Sequence, residues 1–188
     1  MKKISVFSSG NGTNAENICL YFSSSNKIKV ELICTNNKNS RVLERAKKQN
    51  VSCFVFSKDE MINGGALEKK LIEKKIDFIV LAGFLLKIPE SLIKLFNNKI
   101  VNIHPSLLPK YGGKGMYGKR VHEKVIENKE KESGITIHYV NENYDQGRVL
   151  FQKKVELERG ECSDSLSKKI QSLEHLYFPK VIEKTILK

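Results

Sequence analysis

The 188-residue chain, 40% apolar, has the size of one domain and enough apolar residues for a core. No apolar run approaches the ~20 residues needed to span a bilayer, and the run after Met1-Lys2-Lys3 ends at Phe7, so no membrane anchor or secretory leader is expected and a soluble cytoplasmic protein is. The net charge of +12 suggests a nucleic-acid partner, yet only five of the 33 basic residues are arginine (Arg41, Arg45, Arg120, Arg148 and Arg159) and lysine is spread along the whole chain. A solvated surface whose positive field attracts anionic substrates is expected in place of a base-reading face.

Strands are predicted at 4–7, 29–35, 52–56, 78–82 and 100–104, separated by helices at 14–22, 40–49, 59–75 and 89–96. Thr13 or Asn14 is expected to cap the first helix and Ser40 the second, and Gly64-Gly65 interrupts the third. The run Phe78-Ile79-Val80-Leu81-Ala82 is continuously apolar, as in a strand covered on both faces. After His104 the pattern changes: 105–118 is a loop rich in Pro and Gly, 118–128 a helix, and 135–139 with 149–154 an antiparallel pair. The tail, 163–188, has helical periodicity with Leu166, Ile170, Leu173, Leu176 and Tyr177 on one face. This alternation predicts an α/β, single-domain fold: an open, twisted, mainly parallel sheet of about seven strands with helices on both faces, Rossmann-like. The four cysteines, Cys19, Cys34, Cys53 and Cys162, form no Cys-x-x-Cys pair, and buried free thiols are expected, not a disulfide framework or a zinc site.

Three segments are suited to chemistry. Ser8-Ser9-Gly10-Asn11-Gly12-Thr13-Asn14 follows a strand and opens a helix, so it is either a tight turn or an anion cradle of free amides at a helix N-terminus. In Asn102-Ile103-His104-Pro105, Asn102 and His104 share one face at the carboxyl end of a strand, where ligands of open sheets bind; an amide and an imidazole are suitable donors for a developing oxyanion. The loop Asn141-Glu142-Asn143-Tyr144-Asp145-Gln146-Gly147 is by default a solvated hairpin connection; if it folds over that strand edge, Asp145 can orient His104 or raise its pKa.

Together, the glycine loop, Leu81-Ala82-Gly83-Phe84, Asn102-Ile103-His104-Pro105-Ser106-Leu107-Leu108-Pro109-Lys110-Tyr111, Gly134-Ile135-Thr136-Ile137-His138-Tyr139-Val140 and Asp145-Gln146-Gly147 resemble the glycinamide ribonucleotide formyltransferase family of purine biosynthesis, over nearly the whole chain. The resemblance implies formyl transfer from 10-formyltetrahydrofolate, as co-substrate, to the amine of 5′-phosphoribosylglycinamide, without a metal. It implies Asn102, His104 and Asp145 as the catalytic trio, with protonated His104 as an oxyanion donor kept charged by Asp145, which also assists a proton shuttle through a water. It implies Gly12, Thr13 and Asn14 at the substrate phosphate, Gln171 and Glu174 at the ribonucleotide, and Leu85, Leu86, Lys87 and Ile88 around the pterin, with Lys58 and Asn102 also toward the folate. It divides the chain into a phosphate-substrate half, 1–100, and a catalytic and folate half, 101–188. Leu86 stands where relatives often carry arginine, with Lys87 as a substitute, and the loop 112–118 is more glycine-rich than in many relatives.

Rival readings share the catalytic block. A formyltetrahydrofolate hydrolase is expected to carry an N-terminal regulatory domain, a methionyl-tRNA formyltransferase an extra C-terminal one, and a sugar-amine formyltransferase to lack the glycine loop. A basic nucleic-acid-binding α/β protein would need a clustered Arg/Lys face with exposed aromatics. Small-molecule substrates, no nucleic-acid or membrane partner, and a monomer or homodimer are expected.

Overall fold

The computed structural model describes residues 1–188, apart from the surroundings of Gly64. In chain order the elements are β1 (Lys2–Phe7), α1 (Thr13–Phe22), β2 (Ile28–Thr35), α2 (Val42–Lys48), β3 (Ser52–Val55), a π-helical turn (Glu60–Gly64), α3 (Ala66–Glu73), β4 (Phe78–Leu81), α4 (Glu90–Leu95), β5 (Ile100–His104), α5 (Lys119–Glu127), β6 (Glu132–Tyr139), β7 (Val149–Glu156) and α6 (Ser163–Ile186). They build one seven-stranded sheet in the order β3-β2-β1-β4-β5-β6-β7. The first five strands are parallel, and β6 and β7 are added antiparallel beyond β5.

Strand alternation sorts the core into two layers. Ile4 and Val6 of β1, Val80 of β4 and Val101 and Ile103 of β5 pack with residues of α1, α2 and α6. Phe7, Leu32, Ile79, Leu81 and Ile100 point the other way, onto α3 and α4. The sheet is thus covered on both faces, and β4 is buried throughout. Because β2 lies on one side of β1 and β4 on the other, the connections leaving β1 and β4 diverge and open a crevice at the carboxyl edge. No helix among the described residues is long and apolar enough to cross a membrane.

Several local expectations are corrected. The N-cap of α1 is Gly12, in the left-handed region at φ 73°, with no side-chain cap. Thr13 and Asn14 are not at the cap position because they already belong to the first turn, and their side chains meet Gln171 and Glu174 of α6. Ser40 does not cap α2, which starts at Val42; its hydroxyl donates to the Gly10 carbonyl. The segment 59–75 is two pieces, a π-helical turn and α3, broken at Gly65, whose φ is 59°. Cys53 and Cys162 are exposed; only Cys19 and Cys34 are buried, and burial pushes both thiols up to about 12.

Leu176 is 49% exposed, whereas Phe178 is fully buried. At about 100° per residue, positions 176 and 178 lie equally far from the face defined by Leu166 and Ile170, on opposite sides of it, so the packing of α6 on the sheet decides which of the two is buried. Phe178→Ala is therefore expected to lower stability by ~3–5 kcal/mol in urea denaturation. Leu176→Ala should stay within ~0.5 kcal/mol, as an exposed position does; equal losses would contradict this packing.

Candidate active site

The crevice contains a cleft of about 640 Å³ whose walls come from both halves of the chain. Residues 83–88, after β4, form one wall; the end of β5, the 113–118 loop and residues 140–145 form the others; Gly10, Asn14 and Glu174 close one end. Of the residues singled out from the sequence, Asn14, Leu85, Leu86, Lys87, Ile88, Asn102, His104, Asp145 and Glu174 all line it. Gly12, Thr13, Gln171 and Lys58 do not. The first three lie just behind Asn14 and Glu174: Gln171 donates to the Thr13 hydroxyl at 3.1 Å, beside the 2.7 Å bond from the Asn14 amide to Glu174. Lys58 is exposed between β3 and the π-helical turn. The amide hydrogens of Gly12, Thr13 and Asn14 have no acceptor among the described residues, as at the first turn of any helix.

The polar centre is set by the pairing of β5 with β6, in which Asn102 lies opposite His138 and His104 opposite Thr136. Tyr111 offers a backbone carbonyl 2.7 Å from His104 Nε2, and a carbonyl only accepts, so Nε2 carries a hydrogen. His104 Nδ1 then faces Asp145 Oδ2 at 3.7 Å. His138 donates from Nδ1 to its neighbour's carbonyl, Tyr139 O, at 2.8 Å, which leaves Nε2 to accept from Asn102 Nδ2 at 3.1 Å. One of the two Asn102 amide hydrogens is thus used and the other remains for a ligand. Asp145 itself is in the left-handed region at φ 56°; its Oδ2 accepts from the Gly113 amide at 2.8 Å, and its Oδ1 lies 3.6 Å from His138 Nε2. The loop 141–147 therefore does fold over the β5 edge.

His138 is the residue the sequence reading left without a role. It alternates with Thr136 on a strand adjoining Asn102 and His104, but only the β5–β6 register shows that it sits across from the amide.

The electrostatics revise one expectation. Burial pushes the Asp145 carboxyl up, but His138, His104 and the Gly113 amide outweigh it and hold it below its ordinary value. Burial also pushes His104 down; Asp145 and the Tyr111 carbonyl favour the charged ring but do not overcome it, so His104 lies below the usual imidazole range. Asp145 favours the charged ring of His104, but desolvation outweighs it. Removing the carboxylate charge should lower His104 further, so an NMR titration of Asp145→Asn is expected to show the His104 midpoint moving to lower pH; a rise would refute this balance.

Glu174 is in the opposite situation. Burial raises its carboxyl to about 7, with the Asn14 amide as the one group that lowers it. Between the ordinary 4.5 and about 7, the folded chain holds a proton that the unfolded chain has released, so stability is lost as pH rises through that window. Glu174→Gln is expected to gain urea stability relative to the parent between about pH 5 and about pH 8; a pH-independent difference would exclude the raised carboxyl.

Leu86 packs its side chain against the α3–α4 core layer, which accounts for an apolar residue there, and the Lys87 side chain stands exposed beside it at the cleft wall. The glycines of the neighbouring loop serve its shape: Gly113, Gly115 and Gly118 all have positive φ.

Fold and cleft together define an open α/β enzyme that carries its polar centre at the switch point of the sheet. Residues 2–182 match the family described as Formyl transferase, and the chain belongs to that family. Among its relatives, phosphoribosylglycinamide formyltransferase of Bacillus subtilis is 34% identical over 99% of this chain and 95% of that protein. The chloroplastic phosphoribosylglycinamide formyltransferase of Arabidopsis thaliana is 38% identical over 96% of this chain, which spans 64% of that relative's length. A crystal structure of phosphoribosylglycinamide formyltransferase from Bacillus halodurans superposes with a TM-score of 0.89 at 33% identity, over 100% of this chain and 96% of that one.

Proposed function

We propose that this chain transfers the formyl group of 10-formyltetrahydrofolate to the amine of 5′-phosphoribosylglycinamide, in the cytoplasmic synthesis of purines. One observation carries the reading: a single cleft joins an amide-rich end at Asn14 and Glu174 to an apolar wall at 85–88, with Asn102, His104 and Asp145 between them. Two reactants need to meet at such a centre, and holding them in contact removes up to ~7–11 kcal/mol of barrier. The cleft volume is that of sites for drug-sized ligands, and Leu85, Leu86, Ile88 and Val140 suit the flat ring of a folate. The folate supplies the formyl group. The amides of Gly12, Thr13 and Asn14, with the dipole of α1, suit the substrate phosphate. Gln171 and Glu174 are assigned to the ribonucleotide, and Lys58, exposed outside the cleft, is the residue least supported as a folate ligand.

As the amine adds, negative charge develops on the formyl oxygen. The free Asn102 amide hydrogen can meet it, a donor worth ~3–4 kcal/mol in comparable sites. The growing charge also raises the proton affinity of His104. Nδ1 is the nitrogen without a hydrogen, and Asp145 Oδ2 at 3.7 Å stabilises the cation once a proton arrives there. In this scheme His104 becomes charged during the reaction and is neutral before it. The attacking amine loses one proton and the departing folate nitrogen gains one, so no net acid or base is consumed.

Purified His104→Ala and Asp145→Asn, with unchanged circular dichroism, are each expected to lose most formyl transfer, on the order of 10²–10³-fold in kcat. Loss of 10-formyltetrahydrofolate followed spectrophotometrically should depend on the added ribonucleotide amine. Consumption without the amine would mark a hydrolase, and near-normal turnover of His104→Ala would refute the assignment.

A further inference from the structure

The glycine loop is gripped from behind, residue by residue. The Asn37 amide donates to the Ser9 carbonyl at 3.4 Å. Ser40 Oγ donates to the Gly10 carbonyl. Arg45 Nε donates to the Asn11 carbonyl at 2.8 Å, and its Nη2 reaches Asn11 Oδ1 at 3.5 Å. Val42 fills the space where Gly12 would carry a side chain: an added Cβ would lie 2.5 Å from Val42 Cγ2. The third arm of the same guanidinium, Nη1, pairs with Glu16 in the first turn of α1. Arg45 does not line the cleft.

We infer that Arg45 is a positioning residue for the phosphate end of the substrate, a role that rests on the phosphate assignment above. Two physical effects support it. A peptide unit is planar and trans, so its C=O and N–H point in opposite directions. Fixing the Asn11 carbonyl toward Arg45 therefore fixes the Gly12 N–H away from Arg45, ahead of any ligand. The second effect is charge. A carboxylate in the first turn of α1 stands close to where a phosphate dianion would bind and would repel it; the guanidinium cancels that charge without occupying the cleft. A lysine can supply the charge but not a planar fork spanning both Asn11 and Glu16.

Steady-state kinetics of Arg45→Ala and Arg45→Lys tests this, using the phosphorylated amine and its dephosphorylated riboside as alternative acceptors. In Arg45→Ala the KM for the phosphorylated amine is expected to rise about tenfold to hundredfold, the equivalent of losing a charge-assisted hydrogen bond. The KM for the folate, kcat, and kcat/KM for the riboside should stay within about twofold. Arg45→Lys should give an intermediate rise, and it carries the test if Arg45→Ala does not fold. A merely structural role would lower activity toward both acceptors alike, and that outcome, or an unchanged KM for the phosphorylated amine, overturns the inference while leaving formyl transfer intact. If the parent protein does not distinguish the two acceptors, the phosphate assignment itself falls and the inference with it.

Discussion

The register of β5 against β6 is the constraint on which the site depends. Asn102 meets His138 and His104 meets Thr136 because β6 runs antiparallel in that alignment and no other. Side chains alternate faces along a strand, so a slip of one residue would turn His138 away from the cleft and Ile137 into it. Two glycines let the further neighbours of β6, on its other side, close in. A side chain at Gly134 would run into the Lys153 carbonyl on β7, and one at Gly147 into the Tyr139 carbonyl, so β7 and the loop carrying Asp145 approach β6 only because both positions lack a Cβ. The polar centre follows from backbone pairing first and from side-chain chemistry second.

Within that frame the cleft keeps two acids in different states. Asp145 has two imidazoles and a backbone amide around it and stays ionised. Glu174 has one amide and is otherwise desolvated, which brings its carboxyl to about 7. Partner number, not burial alone, separates them. The same rule explains why His104 lies below its ordinary value although a carboxylate is 3.7 Å away: one pair at that distance does not repay the desolvation of a buried ring.

The parallel half of the sheet was legible because its strands are short apolar runs between helical periods, and the buried run at Phe78–Leu81 could hardly be anything else. The polar face of β5 was legible for the same reason, since alternation alone places Asn102 and His104 together. What could not be read was whatever depends on distant partners. Thr13, Asn14 and Ser40 have the side chains of helix caps, but each forms a tertiary bond that a single segment does not reveal. Leu176 fits a generous apolar stripe, and only the packing of α6 shows Phe178 taking that place. His138 needed the register, and the balance at His104 needed the depth of burial.

Helix α6 ties itself to α1 along its length: Gln171 to Thr13, Glu174 to Asn14, the His175 carbonyl to Asn17, and Glu183 to Tyr21. These contacts join residues some 160 positions apart, so the end of the cleft at Asn14 is built from the first and the last helices of the chain. During synthesis on the ribosome, β1 to β5 can pair as they emerge, yet that end has no wall until α6 has left the exit tunnel. A nascent chain stalled before α6 carries its glycine loop and its His104, but faces solvent where Glu174 stands in the folded chain.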